Sequence, residues 1–252
     1  MFQDERRRVI LDELTQTRRV SVTDLAARFA VAGETIRRDL DALAADGALT
    51  RVHGGALAVD SGPVETDLPT RRTEHVSAKQ AIARAAHDLL PAPGGSVLVD
   101  AGTTTAALVP ALAERGLVLF THSPEIAQDL AAAGAQEVHV LPGRLRPTTR
   151  AAVGSATLAA LGSLRVDLAL VGGNGVDGEG FSTPDPEEAA VKRALLARAA
   201  LGAVLVDASK MHRRSLVTFA GWTAVDVLVT DNPLPGDLAE VADRSGLEVL
   251  LP

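Results

Sequence analysis

The sequence contains no cysteine. That excludes disulfides, thiolate nucleophiles, zinc fingers and cysteine-ligated iron–sulfur clusters. Aromatic residues make up only 2%, with five phenylalanines, one tryptophan and no tyrosine, so stacking platforms for single-stranded nucleic acid are not expected. No apolar run approaches the length of a membrane-spanning helix. The opening MFQDERRRVI lacks the apolar stretch of a secretory signal, and a cytoplasmic setting fits. The histidines, at 53, 75, 87, 122, 139 and 212, show neither i,i+4 nor HExxH spacing, so no metal and no cofactor is predicted. Lysine is scarce: of 25 basic residues only Lys79, Lys192 and Lys210 are lysines.

The 252 residues, 46% apolar and 23% charged, have a globular balance and suffice for a small domain and a larger one. The net charge of −7 is unevenly spread. Residues 1–57 hold nine arginines and nine acids, so the whole excess lies beyond them. A neutral segment still binds DNA if its arginines share one face. The stretch DSGPVETDLP (60–69) has no apolar period and carries two prolines and a glycine among acids, as a connector does. The expected division is a first domain over 1–58, a linker over 59–73 and a second domain over 74–252.

Three short helical patterns open the chain. Asp4–Gln16 carries Val9, Ile10 and Leu14; Ser21 with Asp24 forms a capping-box-like start ahead of Leu25, Ala26 and Phe29. After a turn over 30–33, Glu34–Ala45 places Ile36, Leu40 and Leu43 on one buried stripe and Glu34, Arg38 and Asp41 on the opposite face. Helix, short turn and helix make a helix-turn-helix. A strand pattern over Ala48–His53, Gly54-Gly55 and a returning strand over Ala56–Val59 would form a wing. In such a module Arg37 and Arg38 reach guanine edges or phosphates from the major groove. Arg51 and His53 approach the backbone from the wing, and Ser21 and Thr35 donate to phosphate oxygens. The bland alternative is a small interaction domain in which Arg37 and Arg38 pair with Asp41 as surface ions.

From residue 79 on, apolar strands ending in a small polar residue alternate with helices. The strand ends are SVLVD100, LVLFT121, VHVLPG143, LALVG172, AVLVD207 and DVLVT230; helical runs include Thr105–Ala113, Pro124–Ala132 and Pro186–Ala200. This is the pattern of a parallel sheet covered on both faces, a doubly wound α/β domain. Ligands of such sheets bind beyond the carboxyl ends of the strands. There the Asp100-Ala-Gly102-Thr103-Thr104-Thr105 turn offers hydroxyls and helix-start amides to a phosphate, although such turns also cap helices routinely. The Gly-rich loop over 172–185 would be flexible surface on the bland reading, with Glu188 and Lys192 a helical i,i+4 pair. A chain that writes arginine for nearly every cation yet places Lys192 and Lys210 beside strand-end loops calls there for a compact, rotatable ammonium.

The stretches TIRRDL, L-x-x-x-G-x-L and RVHGGA of the first part resemble the N-terminal domain of the DeoR family of bacterial transcriptional regulators. KQAIARAA, VLVDAGTTTAAL, THSPEIAQDL, VDLALVGGNGV, STPDPEEAAVKRA and VLVDASK resemble the sensor domain of the same family. The resemblance implies a winged helix-turn-helix joined to a domain similar in fold to ribose-5-phosphate isomerase. It further implies a homo-oligomer, dimer or tetramer, on double-stranded operator DNA, and a phosphorylated sugar or polyol as effector. Carried over, Asp100, Gly102, Thr103, Thr104, Thr105, Arg150, Asn174, Asp177, Glu187, Lys192 and Lys210 line the effector site. The chain departs from the family in Ala32 for a usual serine, His122 for asparagine, Pro142 for glycine and His212 for a frequent glycine. His122 puts a titratable ring where an amide is usual and joins the expected effector residues. The fold relationship leaves an alternative: a sugar-phosphate isomerase or deaminase fused to a DNA-binding domain, with Asp100, Asp177, Glu187 or His122 as its base. A covalently attached DNA-binding domain favours a non-enzymatic sensor, and the expected function is repression of a carbohydrate operon relieved by the effector.

Overall fold

A computed structural model describes residues 3–17, 19–45, 48–52, 54–58 and 66–252. The chain divides into two units, residues 1–62 and 63–252.

In the first unit α1 (Gln3–Thr17) and the short strand β1 (Arg19–Ser21) precede α2 (Val22–Phe29), α3 (Gly33–Ala45), β2 (Leu49–Val52) and β3 (Gly55–Ala58). The stripe Ile36, Leu40 and Leu43 of α3 is buried with Ile10 and Leu14 of α1 and Leu25 of α2. Burying such side chains contributes about 1.5–3 kcal/mol each. The wing pairs antiparallel, and β1 adds to it in the order β1-β3-β2. The glycine pair at 54–55 answers two constraints. Gly54 has φ 77°, and a Cβ on Gly55 would stand 2.1 Å from the Val20 carbonyl oxygen of β1. The strand pattern foretold the turn but not β1. The wing's His53 and the end of its return strand at Val59 lie outside the described residues.

Part of the expected linker is structured. Residues 59–65 lie outside the described residues, but α4 (Leu68–Thr73) is a helix capped by Asp67, with Leu68 buried. Its prolines and acids suit a helix start: Pro69 stands in the first turn and the Asp67 carboxylate accepts from the Thr70 N–H at 3.1 Å.

The second unit continues with α5 (Val76–Ala85), β4 (Ser96–Val99), α6 (Thr103–Ala106), α7 (Val109–Glu114), β5 (Val118–Thr121), α8 (Pro124–Ala132) and β6 (Glu137–Val140). A hairpin of β7 (Arg144–Arg146) and β8 (Ala151–Val153) leads to α9 (Ser155–Gly162) and β9 (Val166–Gly172). Then follow β10 (Gly175–Asp177), β11 (Gly180–Thr183), α10 (Pro186–Ala197), β12 (Ala199–Leu205), β13 (Val217–Ala220), β14 (Val227–Val229), α11 (Gly236–Ser245) and β15 (Glu248–Leu250). All six expected strands are present and join β15 in one parallel sheet of order β15-β14-β12-β9-β4-β5-β6.

Alternation along the strands builds two cores. Val97 and Val99 of β4 and Leu168 and Leu170 of β9 face α5, α7 and α8; Leu98 and Ala169 face α9, α10 and α11. That is the doubly wound arrangement. Two expected helices are adjusted. The Thr105–Ala113 run is broken into α6 and α7, and residues 199–200, read as helix, begin β12. The Gly-rich loop is no flexible surface either: β10 and β11 pair in it, β13 joins them, and Phe181 packs on Phe219 and Trp222. Among the described residues no helix is long and apolar enough to cross a membrane.

Candidate functional site

In the first unit α3 presents Arg37 and Arg38 to solvent, the Arg38 side chain being 80% exposed. Both lean on Glu34 rather than on Asp41, at 3.4 and 3.8 Å, loose exposed pairs worth well under 1 kcal/mol. Asp41 is taken instead by Arg51, whose Nε lies 2.7 Å from it and whose guanidinium also donates to the Gly55 carbonyl. Arg51 thus ties the wing to α3, a structural task the expected backbone contact did not include. Ser21 is also occupied: its Oγ accepts from the Asp24 N–H at 3.1 Å and donates to the Asp24 carboxylate at 2.8 Å. It is the cap that the capping-box pattern indicates, not a free hydroxyl for phosphate. Thr35 is half-buried, and its N–H donates to the Ala32 carbonyl at 2.9 Å. Behind this face Asp39, 1% exposed, accepts from Arg6 at 2.6 Å and Arg7 at 3.3 Å. The RRD run of α3 therefore sends its two arginines outward and its aspartate inward.

In the second unit the chain leaves β4 toward β5 and β6 on one side, and β9 toward β12, β14 and β15 on the other. The crevice between the carboxyl ends of β4 and β9 is the switch point where such sheets bind ligands. Asp100 stands there, 1% exposed. Its Oδ2 accepts from Lys192 of α10 and from the Gly172 N–H at 2.9 Å, and its Oδ1 lies 2.9 Å from His122 Nε2. Burial pushes the Asp100 carboxyl up, but the Lys192 ammonium and the His122 hydrogen bond and charge outweigh it and hold it at about 2. His122 is itself buried; Nδ1 lies 2.8 Å from the Ala152 carbonyl oxygen and Nε2 3.0 Å from the Ala101 nitrogen. The ring braces Asp100 from β5.

A small cavity of about 30 Å³ opens beside this cluster. Of the residues expected at an effector site, Thr103, Thr104, Asn174 and Lys210 line it. Gly102 has extended backbone, and a Cβ there would meet only Thr105 Oγ1 at 3.4 Å, so the fold leaves open space above the turn. Thr105 is fully buried, donating to the Asp100 and Gly102 carbonyls; its task is to shape the turn. Asp100 and Lys192 lie behind the lining. Arg150, Asp177 and Glu187 are not part of it. Arg150 pairs with Glu125, Glu187 with Arg144, and Asp177 accepts from the Glu179 N–H in the β10–β11 turn.

Sequence reasoning missed Arg71, Glu74, His75, Lys79 and Asp207, which with Gly173 complete the lining. The scarcity of lysine was the available signal, for it singles out Lys79 as well as Lys192 and Lys210. Burial lowers the Lys79 and Lys210 ammoniums below their ordinary value, Asp207 opposing and Arg71 adding to it in both. His212, expected where a glycine is frequent, has φ 56°, the left-handed region that favours glycine. Among the described residues no group of three or more carboxylates and histidines is placed to hold a metal ion.

Residues 6–62 match the DeoR-like helix-turn-helix domain and residues 74–232 match the DeoR C terminal sensor domain. The chain belongs to the DeoR family. Similar members include the HTH-type transcriptional regulator GlpR of Haloferax volcanii, 34% identical over 99% of this chain and 98% of that one. The glycerol-3-phosphate regulon repressor of Escherichia coli is 31% identical over 96% of each chain. The HTH-type transcriptional repressor GlcR of Bacillus subtilis is 30% identical over 100% of this chain and 97% of that one. Solved structures that overlay in part are ribose 5-phosphate isomerase A from Methanocaldococcus jannaschii and translation initiation factor eIF-2B from Pyrococcus horikoshii. The first is 19% identical over 55% of each chain with a TM-score of 0.40. The second is 15% identical over 61% and 62%, with a TM-score of 0.44. In this DeoR-family chain the two matched segments fall on the two units, one carrying the exposed arginines of α3 and the other the strand-end cavity.

Proposed function

We propose that this DeoR-family protein is a transcriptional repressor that holds operator DNA with α3 and is released by a phosphorylated sugar or polyol bound at the carboxyl ends of β4 and β9. The observation that carries the reading is the convergence of all three lysines of an arginine-rich chain on that crevice. Lys79 and Lys210 line the cavity, and Lys192 sits on Asp100 behind it. The first turn of α6 leaves amides without intrahelical acceptors. With the Thr103 and Thr104 hydroxyls and two ammoniums, they form a seat for a phosphate; Glu74 and Asp207 are acceptors for sugar hydroxyls. Among the described residues no phenylalanine, tyrosine or tryptophan lines the cavity, which favours a polyol over a nucleobase. The names of the Escherichia coli and Bacillus subtilis relatives support repression, and the former links it to glycerol 3-phosphate.

DNA binding rests on α3. Among the described residues Arg37 and Arg38 are held only by loose pairs to Glu34, so little is lost when a phosphate or guanine replaces that partner. A homo-oligomer would set two such helices on repeated half-sites.

The enzymatic alternative is weakened by the same geometry. A general base needs a proton affinity near the working pH. Asp100 is held at about 2 and its oxygens are filled by Lys192, Gly172 and His122. Asp177 and Glu187 do not line the cavity, and His122 is buried behind Asp100.

A thermal-shift screen of the full chain against phosphorylated and unphosphorylated sugars tests the reading. A ligand at about a hundred times its Kd adds about 2.7 kcal/mol of stability. A shift confined to phosphorylated compounds, with loss of operator binding by the same compounds, is the expected result. No shift from any of them would refute the sensor assignment.

A further inference from the structure

The cavity has a wall that the strand ends do not supply. Arg71, Glu74, His75 and Lys79 come from the end of α4, the corner after it and the first turn of α5. Lys79 is 7% exposed. Its ammonium donates to the Arg71 carbonyl and to the Glu74 carbonyl at 2.6 Å, while the same side chain lines the cavity. An ammonium carries three N–H groups; two of them hold the end of α4 and one remains. His75 enters α5 with φ 51°, a left-handed conformation that non-glycine residues seldom adopt. Its neighbours, rather than its own backbone preference, hold the corner. Among the described residues the other ties of α4 are few. Leu68 is buried and its N–H reaches the Thr148 carbonyl at 3.3 Å, and Arg72 meets Glu125 at 2.8 Å on the surface. Yet α4 is the first described element after the boundary between the units, so the chain coming from the DNA-binding unit enters the sensor unit through it.

We propose that the α4–α5 corner is a ligand-reading element: Arg71 and Lys79 hold the phosphate of the bound ligand, and occupancy tightens α4 onto the sensor unit, passing the signal to the linker that precedes it. The inference rests on the reading of the cavity as a phosphate site. An anion beside Lys79 favours the ammonium, which burial otherwise disfavours, and so strengthens both bonds to the end of α4. A ligand shifts such an equilibrium only through its different affinity for the tightened and loosened corner, and Arg71 and Lys79 supply that difference.

The test is amide hydrogen exchange on the full chain with and without saturating inorganic phosphate. Exchange over residues 68–79 and over residues 102–105 is expected to slow together, by about tenfold or more. Protection of 102–105 alone would overturn the corner's role while leaving the phosphate site standing. Protection of neither would overturn both. Two variants sharpen the result. Arg71→Gln keeps the carbonyl that Lys79 holds, and should bind phosphate at least about tenfold more weakly; binding equal to wild type removes Arg71 from the site. Leu68→Ala loosens α4 outside the cavity. With duplex DNA selected by the protein from random sequence, it should keep phosphate protection at 102–105 and lose the change in DNA affinity that phosphate causes in wild type. A wild-type DNA affinity indifferent to phosphate, or a Leu68→Ala response equal to wild type, would sink the coupling.

Discussion

Each unit buries a carboxylate between basic side chains, and each uses a different chemistry. In the DNA-binding unit Asp39 of α3 meets two arginines, Arg6 and Arg7 of α1. In the sensor unit Asp100 meets Lys192 and His122. Guanidiniums present planar, fixed forks that stay charged, which suits a joint between two helices. An ammonium and an imidazole are compact and adaptable, which suits the floor of a site. The first cluster holds the helix that carries Arg37 and Arg38; the second holds the strand end beside the cavity. Placement differs in the same way, with loosely paired arginines on an exposed helix face and lysines drawn into a crevice.

The comparison can be broken by removing one partner at a time. Asp39→Ala should destabilise the first unit, and Lys192→Met the second, each by about 3–5 kcal/mol, because each strands a buried charge. Urea unfolding followed by a probe in each unit would show it, and Asp100→Asn with Lys192→Met should recover much of the second loss. Equal destabilisation of both units by either variant would refute their separate organisation.

Acid sharpens it next. The folded carboxyl of Asp100 lies at about 2, below its unfolded value. Its stabilisation is therefore present above pH ~4 and disappears as pH falls from there through ~2, a contribution of about 2 kcal/mol. Unfolding measured across that range should be less steep with pH in Asp100→Asn than in wild type. Identical slopes would mean that Asp100 is not held by Lys192 and His122 in solution.

A smaller effect separates the functions of the units. Arg38→Ala should weaken operator binding by about tenfold to a hundredfold in fluorescence anisotropy while phosphate binding stays at the wild-type level. Parallel loss of both would contradict the division of labour. Smallest is the cap: Ser21→Ala should cost the first unit about 1 kcal/mol in the same unfolding experiment, with the sensor unit unmoved.

Much of the architecture is legible in residue order. The stripe Ile36, Leu40 and Leu43 marks α3, Ser21 with Asp24 marks the start of α2, and six apolar runs mark six parallel strands. These signals are local: side-chain period, capping chemistry and turn residues act over a few neighbours in the chain. The helix-turn-helix, the wing turn at Gly54 and the α/β class were all within their reach. Short elements with no period of their own were not. β1, the β10–β11 hairpin and α4 exist because other elements are there to pair with or pack on.

The candidate site divides along the same line. Thr103, Thr104, Asn174 and Lys210 stand at strand ends, where alternation of strand and helix announces a crevice. Arg71 reaches that crevice from the end of the expected linker and His75 and Lys79 from just beyond it, and no periodic pattern records the approach. Conversely Arg150, Asp177 and Glu187 belong to polar stretches of the right composition yet pair elsewhere, with Glu125, the Glu179 amide and Arg144. Composition and period could say that the chain carries two units, an arginine-bearing helix and a phosphate-sized hint in three rare lysines. Which side chains meet was decided by strand order and by the placing of α4, because contacts between residues as far apart as 100 and 192 depend on packing and not on spacing.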